Sequence, residues 1–273
     1  MTPDEAHRAA VEAWRRQRYT ALRRETGWLT LAGLAWLQRG VNQVGAGADM
    51  DVALPGGPRR AGTVTVGDAG LIADGSFTVA GAPADGLPIK SDRDGEPTML
   101  ELGSLRLSVI DRGGRLAIRT WDTDAAARRD FDGIDHWPVD PAWRLRARFE
   151  PTPGRMLRVP DVLGTIDEEA SPGDVVFEVN SEMRRLQALR GSDDSSALWL
   201  IFGDATNGSE TYGGGRFLYT GAPAADGAVE LDFNRAYNPP CVFSPYATCP
   251  LPWSENRLPV RIEAGERAYS SHG

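Results

Sequence analysis

Three residues in the last third of the chain have side chains that could transfer protons. Asp204 and Glu210 flank Ala-Thr-Asn-Gly-Ser, a turn sequence, and Tyr212 follows two positions later. A hairpin closed by this turn, between strands 197–204 and 210–219, brings the two carboxylates close together. Because like charges at short range raise one pKa, such a pair can serve as an acid and a base. The sequence therefore predicts a catalytic group of these three residues.

A structural role for the same acids is the alternative. Asp204 would then close its turn by accepting backbone N–H groups, and Glu210 would pair with an arginine. The acids and Arg216 could also join in one buried ion network. Structural ion pairs shift pKa values as catalytic sites do, so the sequence leaves these options open.

Further polar residues predict recognition of a small polar or anionic molecule. Arg216 follows three glycines, at 213–215, where either a ligand or an aromatic side chain would lie against the backbone of a strand. A guanidinium can bind a carboxylate or a phosphate with two hydrogen bonds. The other candidates precede a rigid Pro-Pro loop at a strand end, and they are Asn234, Arg235, Tyr237 and Asn238. The asparagines could equally satisfy buried loop carbonyls.

The cysteines and histidines do not predict a metal site. Cys241 and Cys249 fit two buried thiols in a reducing compartment, and a redox pair or a nucleophile is the alternative if a nearby arginine lowers a pKa. Zinc would need two more ligands, whereas His7, His136 and His272 fall in a helix, a loop and the C-terminus. We therefore expect no metal and no other cofactor. His136 alone could act as a general base if its loop folds over the site.

Composition is that of a globular protein. The 273 residues are 41% apolar and 25% charged, and no apolar run approaches the roughly 18 residues of a membrane span. A formal net charge of −8 argues against a general nucleic-acid binder, because phosphate contacts need a basic face. We expect a cytoplasmic protein with neither nucleic acid nor membrane as a partner. Nothing in the sequence specifies the oligomeric state.

Residues 1–26 predict one amphipathic helix ahead of the strands. Thr2 can cap it, Pro3 suits its first turn, and Glu5 completes a capping box. The predicted packed face carries Ala6, Ala10, Ala13, Trp14 and Leu22, and the predicted solvated face carries Arg15, Arg16, Arg18, Arg23 and Arg24.

The remaining chain is predicted to be mainly β, because short apolar runs alternate with glycine and proline. Residues 27–125 predict a small β unit, in which 40–66 resembles a forkhead-associated sandwich in its strand rhythm. No arginine follows Gly45 and no Ser-x-x-His motif lies downstream, so the phosphopeptide binding of that family is not expected. Residues 126–273 predict an antiparallel β-barrel or sandwich that carries the site, with a strand near 258–263.

Several long motifs resemble one family. They read FGDATNGSETYGGGRFL from Phe202, LDFNRAYNPPC from Leu231, YATCPLP from Tyr246 and GWLTLAGLAWL from Gly27. In these motifs the chain resembles the bacterial and archaeal family catalogued as domain of unknown function 1684. The resemblance implies little about chemistry, because the activity of that family is not established.

Taken together, the residues predict a small-molecule enzyme with metal-independent, hydrolase-like acid/base chemistry. Asp204, Glu210 and Tyr212 would move protons, and Arg216 with the residues before the Pro-Pro loop would hold the substrate. The alternative is a non-catalytic β module that binds a ligand or a protein.

Overall fold

The computed structural model describes residues 1–191 and 196–269, and it is mainly β with an N-terminal helix, as predicted. The described chain divides into two compact units. Unit 1 comprises Met1–Tyr19, Asp132–Phe243 and the segment from Thr248 onward, and unit 2 comprises Thr20–Phe131 and Ser244–Ala247. Within the described residues, every helix is too short or too polar to cross a membrane.

The N-terminal helix, α1, runs from Pro3 to Leu22. Its start is confirmed as a capping box, because the backbone N–H of Thr2 donates to Glu5 Oε2 at 2.7 Å and the backbone N–H of Glu5 donates to Thr2 Oγ1 at 3.2 Å. The predicted solvated face is wrong for two arginines. The side chains of Arg15 and Arg18 are only 12% and 14% exposed, because carboxylates and carbonyls of unit 1 accept their hydrogen bonds.

Unit 2 is a sandwich of two sheets. A six-stranded sheet has the order β1-β11-β10-β9-β6-β7, and a five-stranded sheet has the order β3-β2-β4-β5-β8. Apolar side chains of both sheets share one core, such as Val64 from β4 and Leu107 from β10. A short helix, α2 (Ala126–Arg129), follows the last strand. The strands are β1 (Leu31–Trp36), β2 (Gly40–Gly45), β3 (Val52–Ala53), β4 (Gly62–Gly67), β5 (Gly70–Gly75), β6 (Thr78–Val79), β7 (Ala82–Pro83), β8 (Leu87–Ile89), β9 (Leu100–Leu102), β10 (Leu105–Arg112) and β11 (Arg115–Asp122).

Unit 1 contains one antiparallel sheet that curls into a half-barrel. Its strands are β12 (Arg144–Pro160), β13 (Ile166–Val179), β14 (Glu182–Arg190), β15 (Leu198–Phe202), β16 (Arg216–Tyr219) and β17 (Ala228–Asp232), in the order β16-β15-β14-β13-β12-β17. The register of β12 against β13 shifts between Pro151 and Arg155, and such a bulge bends a strand. The rings of Phe177 and Phe202 pack edge-on against Phe233 inside the curl, at centroid distances of 5.7 and 5.4 Å.

The segment 258–263 also packs on this core, but the strand predicted there is wrong. Leu258, Val260 and Ile262 are buried and alternate with exposed residues, as the sequence pattern indicates. The backbone bends at Pro259 and Val260, and the segment is part of no strand. Its backbone instead bonds to a loop and to side chains, since Val260 accepts from the N–H of Ala205 at 2.9 Å and Ile262 donates to Asp204 Oδ1 at 3.2 Å.

Candidate functional site

The loop between β15 and β16 carries the residues that the sequence predicts as catalytic. The two strands pair antiparallel, with Leu200 opposite Leu218, and residues 203–215 connect them. Asp204 Oδ1 accepts hydrogen bonds from the backbone N–H and the hydroxyl of Thr206, at 2.8 and 2.7 Å. The side chain of Asp204 therefore closes the first turn of this loop.

Arg216 begins β16 and lies with Asp204 in the interior of unit 1. Its Nη2 donates to Asp204 Oδ2 at 2.8 Å, and both side chains are 0% exposed. The guanidinium also donates to the backbone carbonyls of Ile262 and Ala264. Burial lowers the pKa of Arg216, and the charge of Asp204 opposes that effect. A fully buried guanidinium offers no surface to a substrate anion.

Glu210 lies later in the same loop and pairs with Arg261. Asp204 pairs with Arg216, so each acid has its own arginine. The hairpin forms, but its loop does not join the two carboxylates into an acid and base pair. The contacts are those of the structural alternative, in which one acid closes a turn and the other pairs with an arginine.

The three glycines at 213–215 precede β16 and do not lie within a strand. A Cβ added to Gly214 would lie 2.4 Å from Cε1 of Tyr212, and one added to Gly215 would lie 2.6 Å from the carbonyl oxygen of Phe202. Gly215 also has a φ of +88°, which favours glycine. The ring of Tyr212 therefore covers this backbone, and protein atoms fill the space that a ligand would need there.

The hydroxyl of Tyr212 belongs to a different cluster from the acids. It lies 3.5 Å from Sγ of Cys241. Burial raises the pKa of Tyr212, and its hydrogen bond with Cys241 raises it further. The phenol is therefore protonated at neutral pH, and its chemical partner is a thiol.

Asn234 and Arg235 follow β17 and contact Asp232, the last residue of that strand. The Asn234 amide donates to Asp232 Oδ1 and to the carbonyl of Asp140, both at 2.9 Å. Nε of Arg235 and Nε2 of His7 approach Asp232 Oδ2, at 3.4 and 2.9 Å. Asn234 is fully buried, and these two predicted binding residues hold the end of the strand.

Tyr237 and Asn238 lie beside an ion pair between Arg18 and Glu266. Glu266 is fully buried, and its Oε2 accepts the backbone N–H of Asn238 at 2.6 Å. Cζ of Arg18 lies 4.4 Å from the ring centroid of Tyr237, whose pKa is raised by burial. Asn238 Oδ1 is buried and has no hydrogen-bond partner among the described residues. These two residues therefore contact an internal ion pair.

A polar cavity of about 200 Å³ lies in unit 1, beside Tyr19 of α1. Two of its wall residues, Asp132 and Asp135, are in no ion pair with any residue of the described ranges. No arginine, lysine or histidine is among the wall residues, so the walls favour a neutral or cationic occupant over an anion. The walls are formed by Tyr19, Asp132, Gly133, Ile134, Asp135, Ala268 and Tyr269.

His136 follows directly after the wall residues 132–135. Its Nδ1 lies 2.6 Å from the carbonyl oxygen of Ile134, and because a carbonyl only accepts, Nδ1 carries the ring proton. The hydroxyl of Tyr19 lies 3.1 Å from the same carbonyl and 3.4 Å from Nδ1. Nε2 is buried, and no described residue is its hydrogen-bond partner. The tautomer is thus fixed, with the lone pair on Nε2.

The electrostatics around His136 keep the imidazole neutral. Burial lowers the pKa of His136, Arg15 lowers it further, and Glu266 opposes both. Arg15 also donates to the carbonyl of Trp137 at 3.0 Å, and burial lowers the pKa of Arg15 as well. Burial raises the pKa of Tyr19, so its hydroxyl keeps its proton.

Sequence reasoning missed the helix residues Arg15, Arg18 and Tyr19 as parts of this region, and it also missed Glu266. One usable signal was helical spacing. Arg18 and Tyr19 lie seven and eight positions after Val11, on the face that Val11 buries. Glu266 follows an alternating apolar segment, and its local sequence carries no sign of a partner in α1.

The histidines and cysteines do not assemble a metal site in the part of the chain that the structure describes. No group of three or more His, Cys, Asp or Glu side chains there is arranged to hold an ion. His7 contacts Asp232, His136 contacts Ile134, and His272 lies outside the described residues.

The fold and these contacts define a mainly β protein of two units, in which the discontinuous unit 1 carries a polar cavity and the contact between Tyr212 and Cys241. Residues 129–267, just over half of the chain, match the family described as "Protein of unknown function (DUF1684)". The chain belongs to this family. No curated protein matches it.

Solved structures are similar to part of the chain. One of them is the solution NMR structure of an uncharacterized protein from Haloarcula marismortui, with 32% sequence identity and a TM-score of 0.44. The match covers 54% of this chain and 82% of the archaeal one.

Proposed function

We propose that unit 1 is a small-molecule enzyme that works by acid/base chemistry at the cavity beside Tyr19, in the cytoplasm. The observation that carries this proposal is His136, whose ring proton is committed to the carbonyl of Ile134 while Nε2 has no partner among the described residues. A neutral imidazole with a defined lone pair is the usual form of a general base. In this proposal His136 replaces Asp204 and Glu210 as the group that accepts a proton.

The cavity supports a small occupant. Its volume of about 200 Å³ is below the roughly 300–1,000 Å³ of pockets for drug-sized ligands. Its walls combine two tyrosines with two carboxylates, those of Asp132 and Asp135, and such groups favour uncharged polar or cationic molecules. The anionic substrates that Arg216 and Arg235 predict from sequence have no comparable support, because both arginines contact internal carboxylates.

Tyr19 acts as a positioning residue in this proposal. Its hydroxyl accepts from the backbone N–H of Ile134 at 3.2 Å and donates to the carbonyl of the same residue at 3.1 Å. It thereby holds the peptide group that fixes the tautomer of His136. The proposed reaction is hydrolysis of a small neutral or cationic ester. A water admitted to the buried Nε2 of His136 attacks the ester carbonyl, and His136 takes its proton and returns it to the leaving alcohol.

Binding is the first part of the test. Thermal unfolding of the full chain is measured with choline chloride, glycerol and sodium phosphate, each over a range of concentrations. A ligand that binds only the native state stabilises it by about 2.7 kcal/mol at a concentration of 100 Kd. We expect stabilisation by the cation or the neutral polyol and none by phosphate. Asp135→Asn should weaken the effect of choline, whereas Asp68→Asn, an exposed control in unit 2, should not.

Turnover is the second part of the test. We expect hydrolysis of p-nitrophenyl acetate by the full chain, with a loss of about 10²–10⁴-fold in kcat for His136→Gln. Tyr19→Phe should lower kcat less, and Tyr246→Phe, a control at an exposed tyrosine, should leave it unchanged. Equal rates for the wild type and His136→Gln would remove His136 from the mechanism.

A non-catalytic ligand-binding module is the second candidate. It is favoured because groups that could transfer protons already have internal partners. The Tyr19 hydroxyl donates to the carbonyl of Ile134, Asp204 pairs with Arg216, and Glu266 pairs with Arg18. Binding of choline or glycerol without any hydrolysis by the wild type would select this candidate over the enzyme.

A further inference from the structure

The two cysteines of the chain lie together in unit 1, although eight positions separate them. The backbone N–H of Cys241 donates to Sγ of Cys249 at 3.0 Å, and the Cys249 side chain also hydrogen-bonds to the thiol of Cys241. Neither cysteine is part of a disulfide. The polypeptide between them turns at Pro245, whose fixed φ suits a turn.

A third side chain completes the cluster. The hydroxyl of Tyr212 lies 3.5 Å from Sγ of Cys241, although Tyr212 is 29 positions earlier in the sequence. The hydrogen bond from Cys249 lowers the pKa of the Cys241 thiol to about 7, with Tyr212 adding to the effect and burial opposing it. Two side chains therefore hydrogen-bond with one sulfur, and both favour its thiolate form.

The two thiols differ in exposure. Cys241 is half-buried, whereas Cys249 is buried. In dithiol redox sites the more exposed thiol attacks the substrate, and the second thiol then resolves the product as a disulfide. The alternative of a zinc site is not supported, because structural zinc takes four ligands and no group of three or more His, Cys, Asp or Glu side chains in the described residues is placed to hold an ion.

We propose that Cys241 and Cys249 form a peroxide-reactive dithiol site, in which Cys241 reduces a hydroperoxide and Cys249 then closes a disulfide with it. Tyr212 is the positioning residue of this site, since the Cys241 thiol donates to its hydroxyl oxygen at 3.5 Å and the same hydroxyl can donate to the sulfur once the thiol has ionised. The site shares no residue with the cavity beside Tyr19, so either proposal can fail without the other.

The chemistry balances in two steps. The Cys241 thiolate attacks one oxygen of ROOH, an S–O bond forms, the O–O bond breaks, and the leaving RO⁻ takes a proton to give ROH. The sulfur is oxidised by two electrons to a sulfenic acid, and the peroxide is reduced by two. The Cys249 sulfur then attacks the Cys241 sulfur, an S–S bond forms, and hydroxide leaves with the Cys249 proton as water.

The test uses the reduced full-length protein and one equivalent of hydrogen peroxide. We expect both thiols to be lost together, with a decrease in mass of two hydrogen atoms and a peptide linking Cys241 to Cys249. The Cys249→Ser variant should stop at the sulfenic acid, which dimedone traps on Cys241. The Cys241→Ser variant should keep its remaining thiol under the same conditions.

Rates test the role of Tyr212. An ordinary thiol with a pKa of about 8.5 is roughly 3% ionised at pH 7, so loss of the whole shift would slow the peroxide reaction about 15-fold. Tyr212→Phe removes only part of the shift, because Cys249 is its larger cause, and should slow the reaction by less than that. The same variant should move the midpoint of the pH profile for alkylation of Cys241 by iodoacetamide to higher pH. Tyr246→Phe, in the loop between the cysteines, is the matched control and should change neither measurement.

Three results would overturn the site. The first is that both thiols persist at a peroxide concentration that oxidises glutathione. The second is a disulfide between two chains in place of the internal one. The third is that Cys249 in the Cys241→Ser variant forms sulfenic acid as fast as Cys241 does in the Cys249→Ser variant. Circular dichroism of each serine variant establishes that it is folded, so that a lost reaction can be assigned to the missing sulfur.

Discussion

Asp204 and Arg216 form an ion pair with no exposure to solvent, at 2.8 Å between Oδ2 and Nη2. The guanidinium has further acceptors in the backbone of segment 258–263 and just after it, at Ile262 and Ala264. Asp204 accepts the N–H of Ile262 in the same segment. The pair therefore satisfies backbone groups that a neighbouring strand would satisfy in a sheet.

Asp204→Asn should destabilise the protein strongly. The substitution keeps the shape of the turn but leaves the charge of Arg216 buried without compensation, which costs about 3–5 kcal/mol in the free energy of unfolding. Urea unfolding measures the change. The matched control is Glu210→Gln, at a partly exposed acid whose partner Arg261 is also exposed, and this should have little effect. Equal losses in the two variants would contradict a structural role for the buried pair.

Gly215→Ala should also destabilise unit 1. The φ of +88° is unfavourable for alanine by about 1–2 kcal/mol, and the added Cβ would lie 2.6 Å from the carbonyl of Phe202. Gly221→Ala is the control, because a Cβ there meets nothing within 4 Å. Gly221→Ala should leave the free energy of unfolding unchanged or raise it by about 0.4–1 kcal/mol, because alanine lowers the conformational entropy of the unfolded chain. A tolerated Gly215→Ala in thermal unfolding would mean that the loop can open at this point.

Arg18→Met should reduce the stability of unit 1 by about 3–5 kcal/mol, because Glu266 then remains buried without its cation. Methionine has a helix propensity close to that of arginine, so the helix itself is little affected. Arg8→Met, at an exposed position of α1, is the matched control. If both variants unfold at the same urea concentration, Glu266 does not depend on Arg18.

Stability should fall in mild acid because of His136. The pKa of His136 in the folded chain lies below its usual value of about 6.5, so between these values the unfolded chain binds more protons. The free energy of unfolding then decreases as pH falls through this window, by at most about 1.4 kcal/mol per pH unit from this group. The free energy of unfolding, measured with urea at several pH values between about pH 7.5 and pH 5, should depend less on pH in His136→Gln than in the wild type. An unchanged slope would contradict burial of the neutral ring.

The fold class was accessible to sequence reasoning because its signals are local. Thr2 and Glu5 mark the start of α1, and alternation with glycine and proline marks the strands. The same alternation misled at 258–263, because burial on alternate sides does not require a neighbouring strand. Which backbone groups pair is a tertiary property, and here Arg216 and Asp204 supply the partners.

The candidate site was less accessible, for the same reason. Arginines at 15 and 18 of an amphipathic helix normally lie in solvent, and only acceptors far along the chain bring these two inside. The arrangement around Cys241 was partly foreseen as a redox alternative. However, the groups that lower the pKa of Cys241 are Cys249 and Tyr212, and not an arginine. No local sequence pattern indicates that Tyr212 contacts the Cys241 thiol and not the acids of its own loop.

The pair between Arg18 and Glu266 also affects how the protein is made. These residues are 248 positions apart, and a ribosome adding about 5–20 residues per second needs roughly 12–50 s to pass from one to the other. During that time α1 has emerged without its partner, and most of the stability of an amphipathic helix in a protein comes from packing of its apolar face. Unit 1 therefore completes its fold only after translation has passed residue 266, whereas Thr20–Phe131, which form most of unit 2, are available to fold long before.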